Sequence, residues 1–97
     1  MPHVPVVVAP LVYVLKCRDN KVYVGVTMNF NLRWAQHQSG EGANWTRMYK
    51  PLDVLEIFPN ASPDLEKVKT LEYMQEYGWE NVRGGPWCKL HYDRDPR

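Results

Sequence analysis

The hydrophobic positions near the start of the chain alternate with polar ones in a pattern that predicts two β-strands. Residues 11–17 and 22–27 are rich in β-branched and aromatic side chains, and the polar residues 18–21 separate them. Such side chains favour strands, and a polar break between two such runs is typical of a hairpin. We therefore predict an antiparallel hairpin over residues 11–27.

The valines of this hairpin predict its register. Val12 and Val14 share a parity with Val22, Val24 and Val26. Because successive side chains of a strand point to opposite faces, these valines can line one core face. The other face then carries Tyr13, Leu15, Tyr23, Gly25 and Thr27. This register requires a loop with an odd number of residues or a bulge.

A helix and a third strand are predicted next. Asn29 or Asn31 can cap a helix that runs to about Gln38, where Ser39-Gly40 supplies the stop. Residues 39–51 are predicted to form a loop, and the apolar run 52–58 predicts the third strand.

Ser62 is predicted to cap a second helix, with Pro63 just inside it, and Gly78 is predicted to end that helix. Its expected buried face consists of Leu65, Val68, Leu71, Met74 and Gln75. Glu72 lies at the margin of that face.

These elements predict an α+β fold, a small three-stranded antiparallel sheet flanked by helices. The 97 residues can bury about 60–70% of the surface that the unfolded chain exposes, which suits one domain. We expect that domain over 11–90, a flexible leader over 1–10 and a charged tail over 91–97.

Charge and cysteine content narrow the function classes. The formal net charge is +1, so affinity for a polyanion must come from a local basic patch. The apolar segment 4–15 lacks a basic flank and is too short to span a bilayer. Cys17 and Cys88 cannot build a disulfide framework. We expect an intracellular protein, cytoplasmic or nuclear, in a reducing compartment and without a membrane partner.

Candidate chemistry is dispersed along the chain. Arg33 and His37 are four residues apart on one helical face, and Tyr13 and Tyr23 share a face of the hairpin. Each residue alone has an ordinary structural explanation: a half-buried strand tyrosine, a solvated arginine, or a histidine favoured by the helix dipole. Glu72 could likewise pair with a lysine on its own helix surface.

In combination, these residues resemble the GIY-YIG nuclease domain from about residue 11 to 85. The resemblance rests on Leu11-Val12-Tyr13, Tyr23-Val24-Gly25, Arg33 with His37, and the later Glu72. Leu11 replaces the glycine of the first triplet, while its tyrosine is kept. The segments 39–51 and 77–85 are also similar to compact, stand-alone members.

The resemblance implies a metal-dependent DNA endonuclease that leaves 5′-phosphate and 3′-hydroxyl ends. The implied catalytic residues are Tyr13, Tyr23, Arg33, His37 and Glu72. Glu72 would hold one Mg²⁺ or Mn²⁺, Arg33 would stabilise the phosphorane, and a tyrosine with His37 would activate water. A phenol is a weak base at neutral pH, so Arg33, the metal or His37 must assist it.

We expect the glycine-rich segment and the C-terminal part of the domain to contact nucleic acid. The predicted contact residues are Gly25, Asn44, Trp45, Thr46, Arg47, Lys50, Asn81 and Arg83. Arg47 and Lys50 would meet phosphates, and Gly25 would let a DNA backbone approach closely. Trp45 could stack on an unpaired base or pack beneath the loop, and packing is favoured.

Two alternatives remain at this stage. The chain could be a catalytically silent nucleic-acid-binding module with the same fold. It could also be a protein-interaction domain in which Trp79 and Trp87 form an exposed apolar patch. Because no separate DNA-binding domain is evident, target choice would come from DNA shape, a homodimer or an accessory protein.

Overall fold

The computed structural model describes residues 10–97, which form a four-stranded mixed sheet with helices on both faces. The strands are β1 (Leu11–Cys17), β2 (Lys21–Thr27), β3 (Pro51–Phe58) and β4 (Val82–Gly84), in the spatial order β3-β1-β2-β4. The helices are α1 (Phe30–Ser39), α2 (Asn44–Met48) and α3 (Leu65–Tyr77). The predicted α+β class is confirmed. The predicted leader lies, apart from its last residue, outside the described residues.

The register of the β1–β2 hairpin is the one that the valines predict. Tyr13 lies opposite Gly25 and Leu15 opposite Tyr23, so both tyrosines occupy one face, here called the tyrosine face. The paired valines occupy the opposite, valine face. A turn of three residues, Arg18–Asn20, joins the strands, which is the odd loop that this register requires.

A fourth strand corrects the predicted three-stranded antiparallel sheet. β4 runs parallel to β2, with Val82 beside Val22 and Gly84 beside Val24. Because β4 is three residues long and ends in glycine, it is too short to show an alternating pattern. The sheet is therefore mixed.

α1 has the predicted ends, and α2 lies inside the segment predicted as a loop. The Asn29 side chain accepts a hydrogen bond from the backbone N–H of Leu32 at 3.1 Å, and Gly40 ends the helix with a φ of 83°. Glycine adopts this left-handed conformation at no steric cost. Both helices pack on the tyrosine face through residues such as Phe30, Trp34 and Tyr49.

α3 packs on the valine face, and its orientation differs from the prediction. Its N-cap is Asp64 instead of the predicted Ser62, and Gly78 ends the helix as predicted. Its buried residues are Thr70, Tyr73 and Met74, whereas Val68 is 39% exposed. Of the predicted buried face, Met74 is buried and Leu65 and Leu71 pack against the valine-face core, whereas Val68 and Gln75 are exposed.

Arg83 fixes the C-terminal segment against α2. Its side chain is 2% exposed, and its guanidinium lies 4.4 Å from the Trp45 ring and 4.9 Å from the Tyr92 ring. The guanidinium also donates hydrogen bonds to the backbone carbonyls of Trp79, Val82, Lys89 and Leu90. The predicted tail is therefore tied to the domain at Tyr92. None of the helices in residues 10–97 has the length and hydrophobicity of a membrane-spanning segment.

Candidate active site

Two phenols and an imidazole meet on the tyrosine face. The ring centroids of Tyr13 and Tyr23 are 6.3 Å apart, and the His37 ring lies 5.7 Å from the first and 5.2 Å from the second. Phe30 packs edge-on against Tyr13 at 5.5 Å. The hairpin and α1 thus bring together three of the predicted catalytic side chains.

Gly25 allows the Tyr13 ring to lie across β2. A Cβ at this position would overlap the Cζ and hydroxyl oxygen of Tyr13. The sequence suggested that Gly25 makes room for a DNA backbone, but the neighbour that the structure gives it is the Tyr13 ring. The glycine therefore places the phenol in hydrogen-bonding distance of His37.

His37 is held by hydrogen bonds at both ring nitrogens. Nε2 lies 2.8 Å from the hydroxyl of Tyr13, and Nδ1 lies 2.7 Å from the hydroxyl of Thr46 in α2. Gly42 packs so closely that a Cβ there would overlap the imidazole. Burial, with the nearby charge of Arg33, lowers the pKa of His37 to about 4. The imidazole is therefore neutral at physiological pH and can accept a proton.

Arg33 lies one helical turn before His37 and faces both phenols. Its positive charge acts on the hydroxyl groups of Tyr13 and Tyr23, and its guanidinium donates a hydrogen bond to Gln36 Oε1 at 3.1 Å. Burial raises the pKa of both tyrosines above the ordinary value, while Arg33 acts in the opposite direction. Both phenols are therefore protonated at neutral pH, beside a permanent positive charge.

Glu66, in the first turn of α3, is the carboxylate whose charge acts on this cluster. Its negative charge contributes to the raised pKa of both Tyr13 and Tyr23. Burial raises the pKa of Glu66 itself, and the backbone N–H of Gly85 acts in the opposite direction. A Cβ on Gly84 would overlap the Val24 carbonyl and the Thr70 hydroxyl, so this glycine lets both β2 and α3 approach β4 closely.

Glu72, the predicted metal ligand, is not brought to this cluster. Its side chain is exposed and forms an ion pair of 2.8 Å with Lys69 on the same helix. The sequence contained a signal for Glu66 instead: it lies at helical spacing from Thr70, Tyr73 and Tyr77, which pack against the sheet.

The residues around α2 divide into exposed and buried sets. Asn44, Arg47 and Lys50 are exposed and can meet a ligand. Trp45 packs beneath the segment, its indole N–H donating to the Val22 carbonyl at 3.0 Å, and Thr46 is 2% exposed. The structure therefore leaves Trp45 and Thr46 little surface for nucleic acid.

The two predicted contact residues near β4 also have internal partners. Asn81 accepts a hydrogen bond from Lys21 Nζ at 2.7 Å and donates one to the Tyr77 carbonyl at 2.7 Å. The guanidinium of Arg83 binds the four backbone carbonyls and contacts the two rings described above. Trp87 is buried in the valine-face core, so it does not form the exposed patch considered for a protein-interaction domain.

The donor set fits a divalent cation held by one protein ligand. Carboxylate oxygens are preferred by Mg²⁺ and Mn²⁺, and water and phosphate can complete their coordination. Glu66 is half-buried and makes no ion pair within residues 10–97. The same residues contain no group of three or more His, Cys, Asp or Glu side chains placed to hold a metal.

Comparison with known proteins identifies relatives over most of the chain. A UPF0213 protein of Oceanobacillus iheyensis is 35% identical over 79 residues, which cover 67% of this chain and 92% of the relative. One from Cupriavidus pinatubonensis is 45% identical over 56 residues, or 56% of this chain and 62% of the relative. One from Staphylococcus haemolyticus is 34% identical over 70 residues, covering 67% and 85%. No solved structure matches the chain significantly.

A family model described as the GIY-YIG catalytic domain matches residues 9–79. The matched region contains the two tyrosines, Arg33, His37 and Glu66, whereas β4 follows it. The chain therefore belongs to the GIY-YIG catalytic domain family.

Proposed function

We propose that this protein is a metal-dependent DNA endonuclease that hydrolyses phosphodiester bonds to 5′-phosphate and 3′-hydroxyl ends. The observation that carries the proposal is the meeting of two phenols and a neutral imidazole on the tyrosine face, with the charges of the Arg33 guanidinium and the half-buried Glu66 carboxylate acting on both phenols. These groups come from β1, β2, α1 and α3, so no single element accounts for their proximity.

Tyr13 and His37 are suited to activating the attacking water. A water molecule bonded to the Tyr13 oxygen would transfer a proton to the phenol as the phenol passes its own proton to His37 Nε2, 2.8 Å away. The water oxygen forms a bond to phosphorus, the bond from phosphorus to the 3′ oxygen breaks, and solvent supplies a proton to that oxygen. Tyr13 is 1% exposed, so this step requires a local rearrangement that admits water to its hydroxyl.

Arg33 and Tyr23 are suited to holding the scissile phosphate. A guanidinium donates two parallel hydrogen bonds to phosphate oxygens and keeps its charge at all physiological pH values. Tyr23 is more exposed than Tyr13 and interacts with the same guanidinium. Both groups would stabilise the negative charge that develops as the phosphorane forms.

Glu66 is the residue that we assign to the metal, in place of Glu72. Bound there, Mg²⁺ or Mn²⁺ would supply positive charge near the phosphate and the leaving oxygen. A single protein ligand predicts weak binding of the metal without DNA, because solvent and phosphate provide most of the coordination shell.

The exposed residues Asn44, Arg47 and Lys50 provide a surface for DNA beside the cluster. Lysine and arginine contacts to phosphates make affinity fall steeply with salt. With a net charge of +1, the chain gains selectivity from this local surface and from DNA shape, and a homodimer or an accessory protein can extend it.

Cleavage assays on labelled DNA test the proposal. Linear duplex, single strand, flap and four-way junction are incubated with Mg²⁺, Mn²⁺ or EDTA. We expect metal-dependent cleavage that Glu66→Gln and Arg33→Ala lower about 10²- to 10³-fold. Glu72→Gln is the matched control, since it removes an exposed carboxylate from the same helix, and should retain activity.

Two results would redirect the assignment. Loss of cleavage in Glu72→Gln but not in Glu66→Gln would return the metal to the residue first predicted. If the wild type binds these DNAs in a salt-dependent manner and never cuts them, the chain is a silent nucleic-acid-binding module. Absence of both binding and cleavage would favour a protein-interaction domain.

A further inference from the structure

Thr46 stands at the end of a hydrogen-bond chain that begins at Tyr13. The chain runs from the Tyr13 hydroxyl to His37 Nε2 at 2.8 Å and from His37 Nδ1 to the Thr46 hydroxyl at 2.7 Å. The Thr46 hydroxyl lies 3.0 Å from the backbone carbonyl of Ala43. All three side chains are buried, so solvent does not compete for these hydrogen bonds in this state of the protein.

The direction of the chain follows from its last member. A carbonyl oxygen can only accept, so the single hydroxyl proton of Thr46 is directed to Ala43. The Thr46 oxygen must then accept from Nδ1–H of His37. The remaining nitrogen, Nε2, carries no proton in the neutral imidazole and accepts from the Tyr13 hydroxyl.

The opposite assignment of donors and acceptors in these hydrogen bonds is unfavourable for two reasons. If Nε2 carried the proton, Nδ1 would need the Thr46 proton, and the Thr46 and Ala43 oxygens would face each other at 3.0 Å without a hydrogen between them. The proton of the Tyr13 hydroxyl would also lose the Nε2 acceptor. Arg33 has no acceptor to offer in exchange.

We propose that Thr46 is a positioning residue that fixes His37 in the Nδ1–H tautomer and thereby keeps Nε2 free to accept the proton of Tyr13. The tautomer assignment is independent of catalysis, and its consequence for DNA cleavage rests on the proposed endonuclease function. Gly42 supports the same arrangement by packing its backbone against the imidazole.

The groups that face His37 favour the same tautomer. Tyr13 and Tyr23 approach from β1 and β2, Arg33 from α1, and Thr46 from α2. Arg33 is a cation and opposes a second proton on the ring, so the ring stays neutral and one nitrogen remains an acceptor. Of these groups, only Thr46 presents an oxygen whose hydroxyl proton is already donated to another acceptor, the Ala43 carbonyl.

Long-range ¹H–¹⁵N NMR of the imidazole decides the tautomer directly, using wild type, Thr46→Val and Thr46→Ser. The sequence has three histidines, so a His37→Gln variant assigns the signals. We expect the Nδ1–H pattern in wild type and Thr46→Ser and a shift toward Nε2–H in Thr46→Val, whose methyl group cannot accept. Backbone amide spectra report whether each variant is folded.

A wild-type spectrum with the Nε2–H pattern would overturn the proposal, even if Thr46→Val failed to fold. Retention of the Nδ1–H pattern in a folded Thr46→Val would overturn it as well.

Kinetics provide the second readout. Thr46→Val should lower kcat about 10- to 100-fold with little change in KM for DNA, and Thr46→Ser should restore most of it. If the wild type cleaves no DNA, the endonuclease proposal fails while the NMR result still decides the tautomer.

Discussion

Arg83→Lys should destabilise the protein strongly although it preserves the charge. Arg83 donates four hydrogen bonds to carbonyls of residues 79–90 at distances between 2.6 and 3.2 Å. A lysine ammonium is one point on a flexible stem and cannot reach carbonyls spread around a planar fork. The substitution therefore leaves at least two of these carbonyls without a donor. It also removes the guanidinium from its contacts with the Trp45 and Tyr92 rings.

The magnitude follows from these losses. Hydrogen bonds to a charged group contribute about 1.5–3 kcal/mol each, and a cation–π contact contributes about 0.5–2 kcal/mol. Since the terms are not additive, we expect the free energy of unfolding to fall by about 3–5 kcal/mol, as for other buried charges that lose their partners. Against a typical total of about 5–15 kcal/mol, this is a large fraction.

Urea denaturation followed by tryptophan fluorescence measures the effect. Arg47→Lys is the matched control, because Arg47 is exposed and makes one side-chain hydrogen bond, from Nε to the Gly40 carbonyl at 3.0 Å. It should change stability by less than about 0.5 kcal/mol. A loss below about 1 kcal/mol in Arg83→Lys would refute the view that Arg83 fastens the C-terminal segment to α2.

Three further predictions concern the cluster and the cysteines. Gly25→Ala should displace the Tyr13 ring, lowering stability by about 2–3 kcal/mol and slowing DNA cleavage at least about tenfold; unchanged stability in urea would contradict the overlap. The pKa of His37 is about 4 in the folded chain, against a reference value of 6.5, so His37 of the unfolded chain takes up its proton at a higher pH than His37 of the folded chain. Stability should therefore drop by about 3 kcal/mol between pH 6.5 and 4, a slope that His37→Gln should lack in pH-dependent denaturation. Iodoacetamide should alkylate exposed Cys88 but spare Cys17, whose pKa burial raises to about 12, and mass spectrometry showing both modified in folded protein would oppose this.

The hairpin could be predicted in detail because its physical determinants are local. The parity of the valines sets which face is buried, and a three-residue turn is compatible with that parity. The ends of α1 were also predictable, since Asn29 and Gly40 have the side chain and the backbone freedom that helix ends require.

β4 and the orientation of α3 could not be predicted in the same way because they depend on distant partners. β4 is a strand because it pairs with β2. α3 is oriented so that Thr70 packs against Gly84, where a side chain would leave no room for it. Sequence periodicity predicted a face of Leu65, Val68, Leu71, Met74 and Gln75, of which Val68 and Gln75 are exposed. That face put Glu72 at its margin and overlooked Glu66.

The parallel pairing of β2 with β4 makes the placement of the Glu66 carboxylate a late event in folding. The hairpin, α1 and α2 bring the tyrosines and His37 together within residues 11–46, whereas Val22 must find Val82 across roughly 60 intervening residues. A nascent chain would thus bring the phenols and the imidazole together first, and α3 with Glu66 would reach its place beside the sheet only after β4 has been synthesised. Pulse-labelling hydrogen exchange during refolding should accordingly show the amides of β4 protected after those of the hairpin.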